Sequence, residues 1–205
     1  DNATLYARSG KQITNFNDTI GKELSQLPDG CYDGEIMGKD FIALMRQAYR
    51  KDDVNTEGTY LAIFDYLPLI EWQSKKSTMS CFQRYDQLVC NMTDSQPSTI
   101  GMGSEAQTKQ KYLKIVKRNY VRADLESIRL IHDDYVDKGY EGVMIKDTDA
   151  TYKFGRGWEV MKYKAFHDVD LHIEQLLEGT GKHSNKLGSV VVCFNGVNVQ
   201  VGSGF

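Results

Sequence analysis

The sequence predicts an α+β fold over most of its length, followed by the start of a small antiparallel β unit. Short segments with alternating, β-branched or aromatic content recur through the first 164 residues, and they read as strands. Helical periodicity is confined to two stretches between them. After Lys164 the composition shifts to closely spaced apolar runs broken by Gly- and Asn-containing turns. These features place one domain over residues 1–168 and the beginning of a second over 169–205, with Ala165 to Val169 as the hinge. A chain of 205 residues has room for one domain of ordinary size plus part of another.

Along the chain, Thr4 to Arg8 reads as a short strand and Gly34 to Met37 as another. Tyr60 to Tyr66 is apolar almost throughout, as a strand buried on both faces would be. Tyr112 to Val121 mixes apolar and basic residues in a strand-like run, and Gly142 to Lys146 and Glu159 to Tyr163 are shorter strands. The clearest helix runs from Leu125 to Lys138, where Leu125, Ile128, Ile131 and Tyr135 form one stripe, Asp124 caps the start and Gly139 ends it. A second helix covers Lys39 to Arg50, with Phe41, Leu44, Met45 and Ala48 on one face. The polar stretch Asn91 to Lys109, with Pro97, Gly101 and Gly103, reads as a mobile loop. Leu171 to Ile173, Gly188 to Cys193 and Val197 to Val201 are the strands of the C-terminal unit.

The formal net charge of −3 argues against binding nucleic acid by bulk electrostatics, although a local basic face depends on placement rather than on the sum. Lys109, Lys111, Lys114, Lys117, Arg118 and Arg122 form one basic run, for which a solvated face is the plainer reading. Lys146, Lys153, Arg156, Lys162 and Lys164 form another. Cys31, Cys81, Cys90 and Cys193 contain no Cys-x-x-Cys pair and no histidine at zinc-finger spacing, so reduced thiols are expected rather than a structural zinc. No apolar run reaches about 18 residues, which excludes a membrane-spanning helix. The N-terminus lacks the marks of a secretion signal and an initiating methionine, so the true beginning is expected to lie elsewhere.

Four groups of residues have chemical potential. Asp33 and Glu35 flank Gly34, and on a strand they point to one side, able to hold Mg²⁺ or accept from a ribose hydroxyl; a solvated Asp-Gly turn is the alternative. Phe64 lies in an apolar strand, either as core or as a plate that stacks on a purine, a contact worth roughly 1–3 kcal/mol. Glu141 opens the strand Val143 to Ile145, placed to bind a metal held by phosphates, and Lys146 closes it; both also suit plain solvent exposure. Lys162 and Lys164 project from one strand face, where two ammonium groups repel unless an anion sits between them, a nucleotide phosphate being the natural one. Met161, Tyr163 and Phe166 supply apolar residues around them.

In order, Arg8-Ser9-Gly10-Lys11, Asp33-Gly34-Glu35, Phe64 to Leu69, Glu141 to Lys146 and Trp158 to Lys164 resemble motifs Ia, III, IIIa, IV and V of the covalent nucleotidyltransferases. The resemblance is strongest to the phage-type ATP-dependent DNA ligases, and Val201 to Phe205 is similar to the opening of their OB domain. It implies a nucleotidyltransferase domain of ATP-grasp-like, antiparallel sheets with flanking helices, followed by the start of an OB-fold barrel. It also implies an enzyme that seals nicks in duplex DNA with ATP and Mg²⁺ or Mn²⁺, a monomer of the cytoplasm, through lysine–AMP and DNA-adenylate intermediates. Arg8 would contact nucleotide or DNA phosphate, Glu35 the ribose with Asp33 nearby, and Phe64 the adenine. Glu141 would bind the metal, with Asp33 and Glu35 as further carboxylates, and Lys146, Lys162 and Lys164 would neutralise phosphates. RNA ligases and capping enzymes share the motif order, and a non-catalytic nucleotide- or DNA-binding module is the remaining alternative. The family's nucleophile lies in a Lys-x-Asp-Gly motif that does not occur in this sequence, nor does the C-terminal basic motif of the OB domain. The chain is therefore expected to be an internal piece of a longer ligase, unable to complete the first step alone.

Overall fold

The computed structural model describes residues 3–93, 109–165 and 168–202. The chain divides into two compact units, Asp1–Lys164 and Ala165–Phe205. The expected mobile loop lies mostly outside the described residues, as do part of the expected hinge and the last three residues of the OB-like ending.

Unit 1 begins with a hairpin of β1 (Leu5–Tyr6) and β2 (Gln12–Ile13), whose tip carries Arg8 to Lys11. Gly10 closes that tip at a φ of +82°, a conformation that glycine adopts without a side-chain clash. A π-helical turn (Asn17–Gly21) and the short α1 (Lys22–Leu24) bring Phe16 and Ile20 into the core. β3 (Gly30–Met37) and β4 (Tyr60–Pro68) then form a long antiparallel pair. β5 (Leu113–Ile115) adds to β4 in parallel, so this sheet is mixed rather than wholly antiparallel.

The core occupies one face of that sheet. Leu61 and Ile63 of β4, Tyr66 beyond them and Leu113 of β5 pack with Phe16, Ile20, Leu88 and Met92. Tyr60, Ala62 and Phe64 are only half-buried, which corrects the expectation of a strand buried on both faces. The opposite face of β4 is the floor of a polar site, and an all-apolar sequence does not distinguish a floor from a core. Tyr112 to Val121 contributes a strand only from Leu113 to Ile115, because Arg118 turns inward to bond Phe64 and Cys81 rather than continuing a ladder.

Besides the short α1 and the π-helical turn, α3 (Leu69–Ser74) and α4 (Cys81–Met92) were not expected. A capping box starts α4: Ser80 Oγ accepts from the Gln83 amide, and the Gln83 side chain accepts from the Ser80 amide. Its buried stripe is Cys81, Arg84, Leu88, Val89 and Met92. An arginine on that stripe interrupts the apolar period that would mark the helix in sequence. α2 (Phe41–Ala48) forms inside the expected Lys39–Arg50 stretch, capped by Asp40, but its buried side is narrower than predicted. Leu44 and Ala48 meet the core, whereas Phe41 and Met45 are exposed.

α5 (Leu125–Asp137) has the expected Asp124 cap and a left-handed Gly139 after it. Leu125 is exposed, however, and the helix residue buried most deeply is His132, whose ring lies 4.2 Å from that of Tyr163. Tyr163 belongs to β7 (Val160–Lys164), which pairs antiparallel with β6 (Gly142–Lys146).

Unit 2 is a three-stranded antiparallel meander of β8 (Ile173–Glu178), β9 (Leu187–Phe194) and β10 (Val197–Val201). Asn195 and Gly196, both at positive φ, make the two-residue turn between β9 and β10. β8 begins at Ile173, the last residue of the run expected for it, and Val190 and Val192 of β9 are the buried apolar residues among those described in unit 2. Among the described residues no helix is long and apolar enough to cross a membrane.

Ser80→Ala removes the side-chain half of the α4 cap, so it is expected to lower stability by about 1 kcal/mol. An unchanged denaturant midpoint would show that other contacts hold this helix end.

Candidate active site

The site grows from a bulge in β4. Asp33 pairs in register with Asp65 and Gly34 with Ile63, which leaves Phe64 without a partner on β3. An extra residue of this kind bends a strand and re-aims a side chain. Gly34 fits here because a Cβ would lie 2.7 Å from the Ala62 carbonyl. Tyr32 and Ile36 face the core, so alternation puts Asp33 and Glu35 together on the opposite face, as the sequence predicts. Glu35 is exposed and Asp33 half-buried there.

Asp65 is the electrostatic centre. Its Oδ1 accepts from Arg84 Nε at 2.8 Å and from the Tyr66 amide at 3.0 Å. Its Oδ2 accepts from Arg84 Nη2 at 3.2 Å and Lys146 Nζ at 3.1 Å. Arg84 and Asp65 side chains are each only 4% exposed. Burial pushes the Asp65 carboxyl up, but the bonds and charges of Arg84 and Lys146 outweigh it, and the net shift is downward. Asp33 moves the other way: burial raises it and the Asp65 charge adds to this, against a hydrogen bond from Tyr152 Oη at 3.3 Å. Neighbouring carboxylates are thus driven apart, one firmly ionised and one more easily protonated.

Lys146, Lys162 and Lys164 share one face of the β6–β7 ribbon, since Lys164 pairs with Gly142 and Lys162 with Met144. Met161 and Tyr163 belong to the other face, so Tyr163 buttresses the ribbon against α5 instead of lining the lysines. Lys146 is drawn to Asp65 and to the Phe64 carbonyl at 3.3 Å, with its ammonium 5.1 Å from the Phe64 ring centroid. Lys162 and Lys164 meet an anion within the chain itself, because both pair with Glu141. The hydrogen bond from Lys164 holds the Glu141 carboxyl below its usual range, and that same bond raises Lys164. Arg8 sits exposed at the hairpin tip.

Among the described residues no three His, Cys, Asp or Glu side chains gather where they could hold a metal ion. The three carboxylates expected to serve a metal are divided between the lysine ribbon (Glu141) and the β3 face (Asp33 and Glu35), so they do not fit Mg²⁺ as one ligand set. Asp65, Arg84, Arg118 and Tyr152 complete the site and are not among the residues expected from sequence. Asp65 had a signal, a lone carboxylate in an apolar strand, whereas Arg84 had none, because it interrupts the apolar period that would have marked its helix. Tyr152 had none, as it reaches Asp33 across 119 positions of the chain. The first basic run is a solvated face at Lys109, Lys111, Lys114, Lys117 and Arg122, all exposed, with Lys111 and Lys114 over the rings of Tyr112 and Tyr60; Arg118 departs from it by turning inward. All four cysteines are free thiols, and burial pushes the Cys31 thiol up to about 11.

Asp65→Ala leaves Arg84 buried without its carboxylate and is expected to lower stability by roughly 3–5 kcal/mol, read by denaturant unfolding. Asp33→Asn acts in the opposite sense. A carboxyl whose folded pKa lies above its ordinary 3.8 contributes fully to folding below 3.8, and this contribution is lost as pH rises through the folded pKa. The variant is therefore expected to melt above the wild type at neutral pH, with the gain vanishing as pH falls toward 3.8. A gain that persists in acid would refute the assigned cause.

Comparison with known proteins identifies the family. A family model described as "ATP dependent DNA ligase domain" matches residues 1–164. The DNA ligase of Enterobacteria phage T4 is 27% identical over 113 residues, 54% of this chain and 20% of that protein. DNA ligase 2 of Methanosarcina mazei is 24% identical over 225 residues, 92% of this chain and 35% of that protein. The chain therefore spans about a third or less of the length of these curated relatives. The solved structure named Pmar-Lig_PreS3 superposes with a TM-score of 0.78 at 29% identity, covering 98% of this chain and 48% of that one. With the family model spanning all of unit 1, the chain belongs to the ATP-dependent DNA ligase domain family.

Proposed function

We propose that this chain is the nucleotide-handling part of an ATP-dependent DNA ligase that seals nicks in duplex DNA in the cytoplasm. The observation that carries this reading is a single compact unit, matched by the ligase family model, that joins an aromatic plate, paired carboxylates and a lysine face. In this reading Phe64 stacks on the adenine, and Glu35 accepts from a ribose hydroxyl on the same side of β3 as Asp33. Lys162 and Lys164 hold the phosphates of ATP. Both ammonium groups pair with the exposed Glu141, so a polyphosphate would compete with that carboxylate for them. Arg8, exposed on its hairpin, is free to reach a nucleotide or DNA phosphate.

Adenylyl transfer and nick closure are phosphoryl-type reactions, in which positioning and charge neutralisation supply most of the acceleration. The residues above do both. The family nucleophile, the lysine of a Lys-x-Asp-Gly motif, has no counterpart in this sequence, so its step is assigned to no residue here. Magnesium is proposed as the family's ion. No step is routed through it, because Glu141, Asp33 and Glu35 do not form one ligand set.

Lys162→Ala and Lys164→Ala are expected to weaken binding of ATP and of inorganic tripolyphosphate alike. Stability should change little, because the two side chains are 54% and 37% exposed. Calorimetry on the chain, with adenylate formation and nick sealing assayed in the complete protein, checks this. A large melting shift with unchanged phosphate affinity would return both lysines to a structural role.

A further inference from the structure

The Phe64 carbonyl accepts from Arg118 Nη2 at 2.6 Å and from Lys146 Nζ at 3.3 Å. The bulge has taken Phe64 out of register with β3, and two cations take up its carbonyl. Both are themselves anchored. Arg118 Nη1 donates to the Cys81 carbonyl at 3.1 Å and to Cys81 Sγ at 3.3 Å, and its guanidinium lies 4.1 Å from the Tyr85 ring centroid. Lys146 is fixed by Asp65. A planar guanidinium held at its other corner and along its face presents Nη2 in one direction, which an ammonium on a flexible stem does not.

We infer that Arg118 is a positioning residue for the nucleobase site: it fixes the bulged peptide and thereby aims the Phe64 ring. This rests on the proposal that Phe64 is the base-stacking plate. Arg118 touches neither base nor phosphate in this scheme. It acts through the main chain of Phe64, and its influence is therefore confined to the base end of the nucleotide. Lys146 belongs to the same device. Using it on a phosphate would take it from Asp65 and Phe64, so holding the plate is the role its contacts favour.

The test separates ring placement from nucleotide binding. With 4-fluorophenylalanine at position 64, the fluorine resonance of the chain is recorded with Arg118 present, as Arg118→Gln, and as Arg118→Lys. Arg118→Gln is expected to shift or broaden the line, with the Lys variant between; an unchanged line in both overturns the inference. Arg118→Gln should also weaken ATP binding roughly fivefold or more, as is expected of Phe64→Leu, while tripolyphosphate binding stays the same. Combined with Phe64→Leu it should add nothing, because both changes act through one ring. Equal losses for ATP and tripolyphosphate would mark Arg118 as merely structural. If Phe64→Leu leaves ATP affinity unchanged, the stacking plate itself is wrong, and the fluorine line alone decides whether Arg118 places the ring. Arg118→Lys retains the charge, so it provides the same readouts where Gln unfolds the chain.

Discussion

A single buried carboxylate organises unit 1. Asp65 projects from the non-core side of β4 and would be costly to bury alone, since an ionised carboxylate away from water must be paired. Arg84 reaches it from α4 and Lys146 from the end of β6, so one charge ties together a sheet, a helix and a second ribbon distant in sequence. Arg84 also donates to the carbonyls of Met79 and Ala150, which fastens the loops beside the N-terminus of α4 to the same point. Apolar packing on the far face of the sheet makes the unit compact. The ionic node fixes where the ribbon of lysines stands relative to the sheet.

That node also sets the local chemistry. Arg84 and Lys146 hold the Asp65 carboxyl below its ordinary range, while burial, with the Asp65 charge added, raises that of Asp33. On the ribbon, Glu141 is the anion that keeps Lys162 and Lys164 from repelling each other. The repulsion argument from their spacing was sound; the anion that answers it in this structure is a side chain.

The β4 bulge connects these two regions. It lets one strand present Leu61, Ile63 and Tyr66 to the core while turning Phe64 and Asp65 toward the site. A regular strand cannot do this, because its side chains alternate strictly. The irregularity costs a ladder position, and Arg118 and Lys146 make up for it at the Phe64 carbonyl.

The sequence by itself determined much of the local structure. Asp124 and Gly139 marked α5, Gly- and Asn-containing turns between apolar runs marked the antiparallel strands of unit 2, and the order of the short motifs pointed to the family. Period-2 alternation was enough to put Asp33 with Glu35 and Lys162 with Lys164, because strand geometry is local. It gave no warning of α4, where Arg84 breaks the apolar stripe, nor of the bulge, which is a property of two paired strands. Tertiary structure alone decided which charges meet. Asp65 finds Arg84 and Lys146, Glu141 finds the lysines, and Arg118 leaves a basic run to hold Phe64. Those partners lie far apart in the chain, and the energy of bringing charges together depends on distance and burial, which spacing along a sequence does not contain.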